Sequence, residues 1–267
     1  MRADKFLADQ FGSRTKAAEA IEKGLVLVNE KTIKPKDEIF EGDTLRFIQA
    51  EEVFVSNGGY KLQQGLKTFA FDCKDKVFVD IGASTGGFTD CLLQNGAKKV
   101  YAVDVGESLL HQSLIGNGKI VVMENTNARY LSKDDFPEQI DGVVTDVSFI
   151  SLRLIFPAIK SILKDGGYTF VLIKPQFECE KKNIGKSGIV HPSAHTSIVE
   201  KVLGYARESA LKPLDIVPAP VRKGKNIEYV LYMENSGKNV QNDKQILEKV
   251  RNFVKHTTLE KRTKNTK

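Results

Sequence analysis

Residues 77–88 read Val-Phe-Val-Asp-Ile-Gly-Ala-Ser-Thr-Gly-Gly-Phe, and they constrain the fold more than any other segment. An apolar run of strand length enters a loop of small residues and leaves it into a helix-compatible stretch. Glycine tolerates positive φ and lets a backbone pass close to a ligand, so this loop is suited to turn sharply and to receive something. A strand that feeds a helix in this way needs a parallel neighbour and helices on both faces of its sheet. The rest of the chain supplies them. Strands are expected at 77–81, 100–103, 120–123, 142–146, 168–173, 214–217 and 227–232. Helices fall between most of them, among them 153–163 and 194–209. The expected fold is α/β, a doubly wound, mostly parallel sheet of seven strands. Ligands in such sheets bind beyond the carboxyl ends of the strands.

The loop narrows the ligand. Asp80 stands two residues before Gly82, and Asp104 ends the next strand, 22 residues after Gly82. An acid at that place can accept both hydroxyls of an adenosine ribose. A dinucleotide site carries GxGxxG, whereas the spacing here is GxxxGG. That pattern suits S-adenosylmethionine, with Asp80 attracting its cationic ammonium. Gly82, Ala83, Ser84, Gly86, Gly87 and Phe88 complete the candidate cofactor loop. A Walker loop is excluded, because Gly185-Lys-Ser would need glycine at position 180, where Glu180 stands. A nicotinamide-dependent dehydrogenase stays open as a competing enzyme, and a non-catalytic binding protein as a competing class.

Four charged residues sit where this fold gathers its chemistry. Asp146 ends the fourth strand, Lys174 ends the fifth, Glu228 opens the last, and Lys61 follows Gly58-Gly59. Charged groups beside apolar strands are costly to bury unless paired. Two lysines and two carboxylates make either a functional network or salt bridges at a sheet edge. Asp146 and Lys174, at carboxyl ends of central strands, read as functional; spacing alone leaves Lys61 and Glu228 undecided. Asp146-Val-Ser-Phe lacks the two prolines that follow the acid or amide in base-amino methyltransferases. Cys179 lies four residues beyond Pro175, outside the Pro-Cys arrangement of carbon-5 cytosine methyltransferases.

Around this core the chain divides into a small module at 1–50, a linker at 51–60, the catalytic domain at 61–236 and an end segment at 237–267. In the first module Ser13 caps a helix that Gly24 stops. A short strand at 25–28 turns at Asn29-Glu30, and a strand at 44–48 closes the unit. In the last segment Ile246, Leu247, Val250, Phe253 and Val254 recur at helical spacing, so an amphipathic helix is expected before a basic tail. Residues 238–267 hold nine Lys/Arg against three Asp/Glu, which equals the +6 of the whole chain. Such a tail favours polyanions. The three cysteines form no CxxC pair, and with four scattered histidines they give no metal-ligand spacing, so no metal is expected. No run approaches the length of a membrane span, and Met-Arg-Ala-Asp-Lys opens without the apolar core of a secretory leader. Both point to the cytoplasm.

Taken together, these residues resemble the TlyA family of ribosomal RNA 2′-O-methyltransferases, which share the catalytic domain of the FtsJ/RrmJ enzymes. The resemblance runs from the start of the chain to Tyr232. It rests on Arg2-Ala-Asp-Lys-Phe-Leu, Ser13-Arg14, Gly-Gly-Tyr-Lys-Leu, the Asp80 loop, Ala-Val-Asp-Val-Gly, Thr126-Asn-Ala-Arg, Asp-Val-Ser-Phe-Ile-Ser-Leu, Leu-Ile-Lys-Pro-Gln-Phe-Glu and Asn-Ile-Glu-Tyr. It implies a Rossmann-like methyltransferase sheet preceded by an RNA-binding domain of the ribosomal protein S-four type. The Lys-Asp-Lys-Glu catalytic tetrad falls on Lys61, Asp146, Lys174 and Glu228. Asn127 falls on the adenine side of the cofactor pocket, and Asp146 also on its wall. Arg2, Lys5, Arg14 and Lys16 become the candidate RNA contacts, and the implied partner is ribosomal RNA within ribosomal subunits, with no membrane. Asn57 departs from the arginine many relatives carry there, and Glu107-Ser-Leu-Leu from a Tyr/Gln-rich stretch. Members also carry the name hemolysin, so the alternatives are a hemolysin-like activity or a ribosome-binding factor without catalysis.

Overall fold

The computed structural model describes residues 1–22, 24–48, 54–220, 224–236 and 243–264, with side chains as far as residue 257. The chain forms two compact units, Met1–Val53 and Phe54–Lys267.

The first unit holds α1 (Ala3–Phe6), α2 (Arg14–Glu22), β1 (Val26–Val28), β2 (Lys31–Thr32) and β3 (Leu45–Phe47), with the sheet in the order β2-β1-β3. The Ser13 hydroxyl accepts the Lys16 N–H at 3.2 Å, which caps α2. Asn29 and Glu30 both take positive φ, 50° and 62°, and so make the tight turn that returns β1 into β2. Ala3, Leu7, Ala17, Ile21, Val26 and Ile39 bury the apolar faces of these pieces in one small core. The short helix α1 and strand β2 have no periodic signal in the sequence.

The second unit contains α3 (Asn57–Thr68), β4 (Val77–Ile81), α4 (Gly87–Gln94), β5 (Lys99–Val103), β6 (Ile120–Met123), β7 (Ile140–Thr145), α5 (Phe156–Ile162), β8 (Leu163–Ile173), α6 (Pro175–Glu178), α7 (His195–Glu208), β9 (Lys212–Pro218), β10 (Tyr229–Glu234) and α8 (Asp243–Lys264). The seven strands lie in the order β6-β5-β4-β7-β8-β10-β9. All pairs from β6 to β8 are parallel, and β10 runs antiparallel to both its neighbours. Every residue of β4 is buried, as a central strand covered on both faces must be. One core lies on the face carrying α5, α7 and α8 and the other on the face carrying α3 and α4.

Several element ends differ from the sequence expectation by a few residues, and three of them have a local cause. The helix expected at 153–163 stops at Ile162, and β8 begins at Leu163 rather than 168 because Leu163 pairs with Ile140 before the register shifts. The last strand begins at Tyr229, not 227. Lys174-Pro175 ends β8, so β10 has no partner on that side before Tyr229, which pairs with Ile173. The linker expected at 51–60 gives way to helix at Asn57, since the Ser56 hydroxyl accepts the Gly58 N–H and starts α3. In α8, Ile246, Leu247 and Val250 are buried in the core, and the Lys249 ammonium pairs with Asp215 at 2.5 and 2.7 Å. The basic side chains beyond residue 257 lie outside the described ones.

Candidate active site

The glycine loop closes the carboxyl end of β4. Gly82 and Gly86 have φ of +79° and +88°, and Ser84 between them takes +48°. A Cβ on Gly82 would stand 3.1 Å from the Asp146 carbonyl oxygen, so glycine there lets the loop lie against the end of β7. Asp104, just past β5, braces the loop from the other side: its Oδ2 accepts the Ser84 N–H at 2.8 Å and its Oδ1 the Gly106 N–H at 2.9 Å. Each oxygen keeps a second lone pair for a ligand.

Between these strand ends opens a cleft of about 700 Å³ whose walls include Gly82, Ser84, Asp104, Asn127 and Asp146. A smaller cavity of about 180 Å³ shares Gly82, Ser84, Asp146 and Ser148 with it and adds Ala83, Gly87, Phe88 and Lys174. Two predicted loop residues line neither space. Gly86 caps α4, where a Cβ would meet Leu114 at 2.5 Å. Asp80 lies wholly buried beneath the loop. Its Oδ2 accepts the Thr89 hydroxyl at 2.7 Å while its Oδ1 has no hydrogen-bond partner among the described residues. Burial, reinforced by Asp146 and Asp104, pushes its carboxyl up to about 7. From that position Asp80 could influence a ligand in the cleft only through its field. The cleft gathers carboxylates around a concave apolar wall, which fits a cation joined to an adenosine.

The four charged residues meet at the mouth of this space. Lys61 Nζ stands 2.7 Å from Glu228 Oε2 and 3.6 Å from Asp146 Oδ2. Lys174 Nζ stands 2.6 Å from Asp146 Oδ1 and donates to the Ser148 hydroxyl at 2.8 Å. The order in space is thus Glu228, Lys61, Asp146, Lys174. They come from four places: α3, the turn before β10, and the ends of β7 and β8. Their side chains are 12–22% exposed, half-withdrawn from water but open to a substrate. A further cavity of about 590 Å³ touches Lys61 and Glu228 together with Tyr60, Gln176 and Lys225.

Sequence reasoning missed several members of the site. Ser148 was hidden because a single serine in a loop carries no signal until Lys174 is seen against it. Phe149 is 91% exposed, holds φ at +63° and lies 4.9 Å from the Phe177 ring. It also lines the wall of the larger cleft beside Ser148 and Ile150. Ser56 and Gly58, at the start of α3, lie against the smaller cavity. Asn127 lines the cleft, and its side-chain oxygen accepts the Arg129 N–H at 3.2 Å. Burial raises the Cys179 thiol, which opposes a nucleophilic thiolate. Among the described residues no His/Cys/Asp/Glu group is arranged to hold a metal, and no helix is long and apolar enough to cross a membrane.

In the first unit, Arg2 and Arg14 converge on Asp4. Arg2 donates at 3.2 and 2.9 Å and Arg14 at 3.1 Å. Hydrogen bonding from Arg2, with Arg14 beside it, holds the Asp4 carboxyl below its usual range. One acid thus sets two guanidinium groups side by side, each more than half exposed. Lys5 and Lys16 are exposed as well.

The strand order, with an open cleft at the sheet's carboxyl edge and four charged residues at its mouth, is that of a Rossmann-like methyltransferase fold. The FtsJ-like methyltransferase family model matches residues 54–235 and the S4 domain model residues 1–45, and the chain belongs to the FtsJ-like methyltransferase family. The Bacillus subtilis protein YqxC is 38% identical over 256 residues, 94% of this chain and 91% of that one. The 16S/23S rRNA (cytidine-2′-O)-methyltransferase TlyA of Mycobacterium tuberculosis is 36% identical over 225 residues, 83% of this chain and 84% of that one. A solved structure from Streptococcus thermophilus, described as a hemolysin, is 36% identical, covers 99% of this chain and 98% of its own, and superposes with a TM-score of 0.75.

Proposed function

We propose that this protein transfers the methyl group of S-adenosylmethionine to the 2′-hydroxyl of a cytidine in ribosomal RNA. The observation that carries the reading is the row Glu228, Lys61, Asp146, Lys174, set where the cofactor cleft meets the cavity beyond it. The acceptor follows from that row together with the cytidine-2′-O activity named for the Mycobacterium tuberculosis relative. The cofactor supplies an electrophilic methyl group on a cationic sulfur. Asp104 would hold its ribose hydroxyls and Gly82 would admit it beside the end of β7. The carboxylates of Asp80, Asp104 and Asp146 favour its positive charge.

A ribose hydroxyl is a poor nucleophile while it keeps its proton. Lys174 donates one hydrogen bond to the Ser148 hydroxyl and is ion-paired with Asp146, so an ammonium with three N–H groups can still donate to the acceptor oxygen. That donor would stabilise negative charge as it develops there; the sulfur would leave as a neutral thioether, and the hydroxyl proton would pass to water at the open mouth of the site, since an ammonium cannot accept it. Asp146, held between two lysines, fixes both ammonium groups, and Glu228 anchors Lys61 from the other side. Phe149 offers a ring face to an unstacked base, and the N-terminal unit, with Arg2 and Arg14 held together, offers charge to RNA phosphates. Equilibrium binding of labelled S-adenosylmethionine and of NAD tests the cofactor. Preference for NAD would turn the reading toward a dehydrogenase. Incubation with unmodified ribosomal subunits tests the acceptor, and cofactor binding without methyl transfer to any RNA would leave only a ribosome-binding factor. Lysis of red cells by the purified protein would favour the hemolysin reading.

A further inference from the structure

Glu178 is a buried acid that the tetrad does not include. It ends α6, four residues beyond Lys174, and is 4% exposed. Its Oε1 accepts the Leu152 N–H at 2.7 Å and its Oε2 accepts the Ser151 hydroxyl at 2.8 Å. Its main-chain carbonyl accepts from the Lys201 ammonium of α7 at 2.9 Å. Burial raises its carboxyl above the usual range against the pull of those donors. A carboxylate in such a place costs more than an apolar side chain of the same size, so the fold alone gives little reason for it.

Its partners supply one. Ser151 and Leu152 belong to the loop that starts at Asp146 and Ser148, while α6 starts immediately after Lys174. A four-residue helix cannot hold itself. At the open end of these two segments Lys174 meets Asp146 at 2.6 Å and Ser148 at 2.8 Å. At the closed end Glu178 binds one segment to the other. Ile150 and Ser151 also form part of the cofactor cleft. We infer that Glu178 is a positioning residue for methyl transfer, which clamps the Asp146 loop to the turn bearing Lys174 and joins the cofactor wall to that lysine. The inference rests on the proposed function for its consequence, though not for its geometry.

The test uses the full chain with Glu178→Gln, Glu178→Ala and Ser151→Ala. An amide oxygen can still accept the Leu152 N–H, and the amide nitrogen can donate to the Ser151 oxygen, so Glu178→Gln keeps both contacts. Competitive acetylation of the Lys174 amine across alkaline pH, read by mass spectrometry, follows that side chain without cofactor or RNA. Glu178→Ala is expected to raise Lys174 labelling several-fold and to lower the single-turnover methyl-transfer rate by about a hundredfold, the scale of a small misplacement of reacting groups. Ser151→Ala moves both readouts in the same direction by less, and Glu178→Gln stays near the parent. A folded Glu178→Ala protein with parental Lys174 labelling and rate overturns the clamp, as does a Glu178→Gln protein as impaired as the alanine variant. If Glu178→Ala does not fold, parental labelling in Ser151→Ala overturns it. Absence of methyl transfer by the parent would defeat the proposed function instead, and Lys174 labelling would still decide the clamp.

Discussion

Replacing Asp80 by asparagine should stabilise the protein at alkaline pH while weakening its hold on a cationic cofactor. The side chain is fully buried, with one oxygen on Thr89 and the other unpartnered. Burial moves its carboxyl from 3.8 to about 7 in the folded state. The unfolded chain therefore gives up this proton first, and folding stability falls as pH rises from about 4 to about 7, then levels off. Roughly three pKa units at 1.36 kcal/mol each give a total loss of about 4 kcal/mol. About 2–3 kcal/mol of that separates pH 5 from pH 8. Asparagine accepts the same Thr89 hydroxyl and places an amide where the free oxygen lies. Its unpartnered N–H groups cost about 1–3 kcal/mol, but at every pH alike. Urea denaturation of parent and variant at the two pH values isolates the difference. The variant should gain about 2–3 kcal/mol on the parent between pH 5 and pH 8, and its affinity for S-adenosylmethionine should fall because a charge beneath the loop has been removed. A stability difference that does not change with pH would refute the assignment of a strained, buried charge at this position.

Lys174→Ala should leave the dissociation constant for S-adenosylmethionine near the parent value and lower the transfer rate by about 10²–10⁴-fold, the usual range for a group acting on a proton or oxyanion; full activity in that variant would remove the lysine from the mechanism. Gly87→Ala should cost about 1–3 kcal/mol of stability in denaturant titrations, because the added Cβ overlaps the Ser56 hydroxyl and stands 3.0 Å from the Gly59 nitrogen and 3.2 Å from the Gly58 Cα, forcing α4 away from α3. Arg2→Ala and Arg14→Ala should each lower affinity for ribosomal RNA and reduce the slope of log affinity against log salt by about one; an unchanged slope would place the RNA path elsewhere.

The parts of the fold legible in the sequence were those that repeat or that need a special residue. Apolar runs separated by helical periods located all seven strands, and Gly82, Gly86 and Gly87 marked a loop where the backbone turns left-handed and packs closely. The antiparallel entry of β10 between β8 and β9 carries no local signal, since pairing partners distant in the chain decide it. Within the site, Asp146 and Lys174 were visible because a charge at the end of an apolar strand stands out. Lys61 and Glu228 were not separable from surface charge by spacing, and only the fold brings them within 2.7 Å of each other. Asp80 was expected to attract the ammonium of the cofactor; that its side chain lies buried beneath the loop, against the Thr89 hydroxyl of the following helix, carried no signal in the sequence. Glu178 was quoted in a motif without a role, because its partners Ser151 and Leu152 lie on another strand's loop.

The central claim is the transfer of a methyl group to a ribose oxygen. Methylation at that oxygen removes the hydroxyl that alkaline cleavage of RNA requires, so labelled product survives alkali as a dinucleotide, whereas a methylated base is released in a mononucleotide. The measurement is incubation of the full chain with labelled S-adenosylmethionine and unmodified ribosomal subunits, followed by alkaline hydrolysis and separation of the products. The account predicts label in an alkali-resistant dinucleotide with cytidine on its 5′ side, and none when Lys174 is alanine. Label recovered only in mononucleotides, or no label in ribosomal RNA at all, would contradict it.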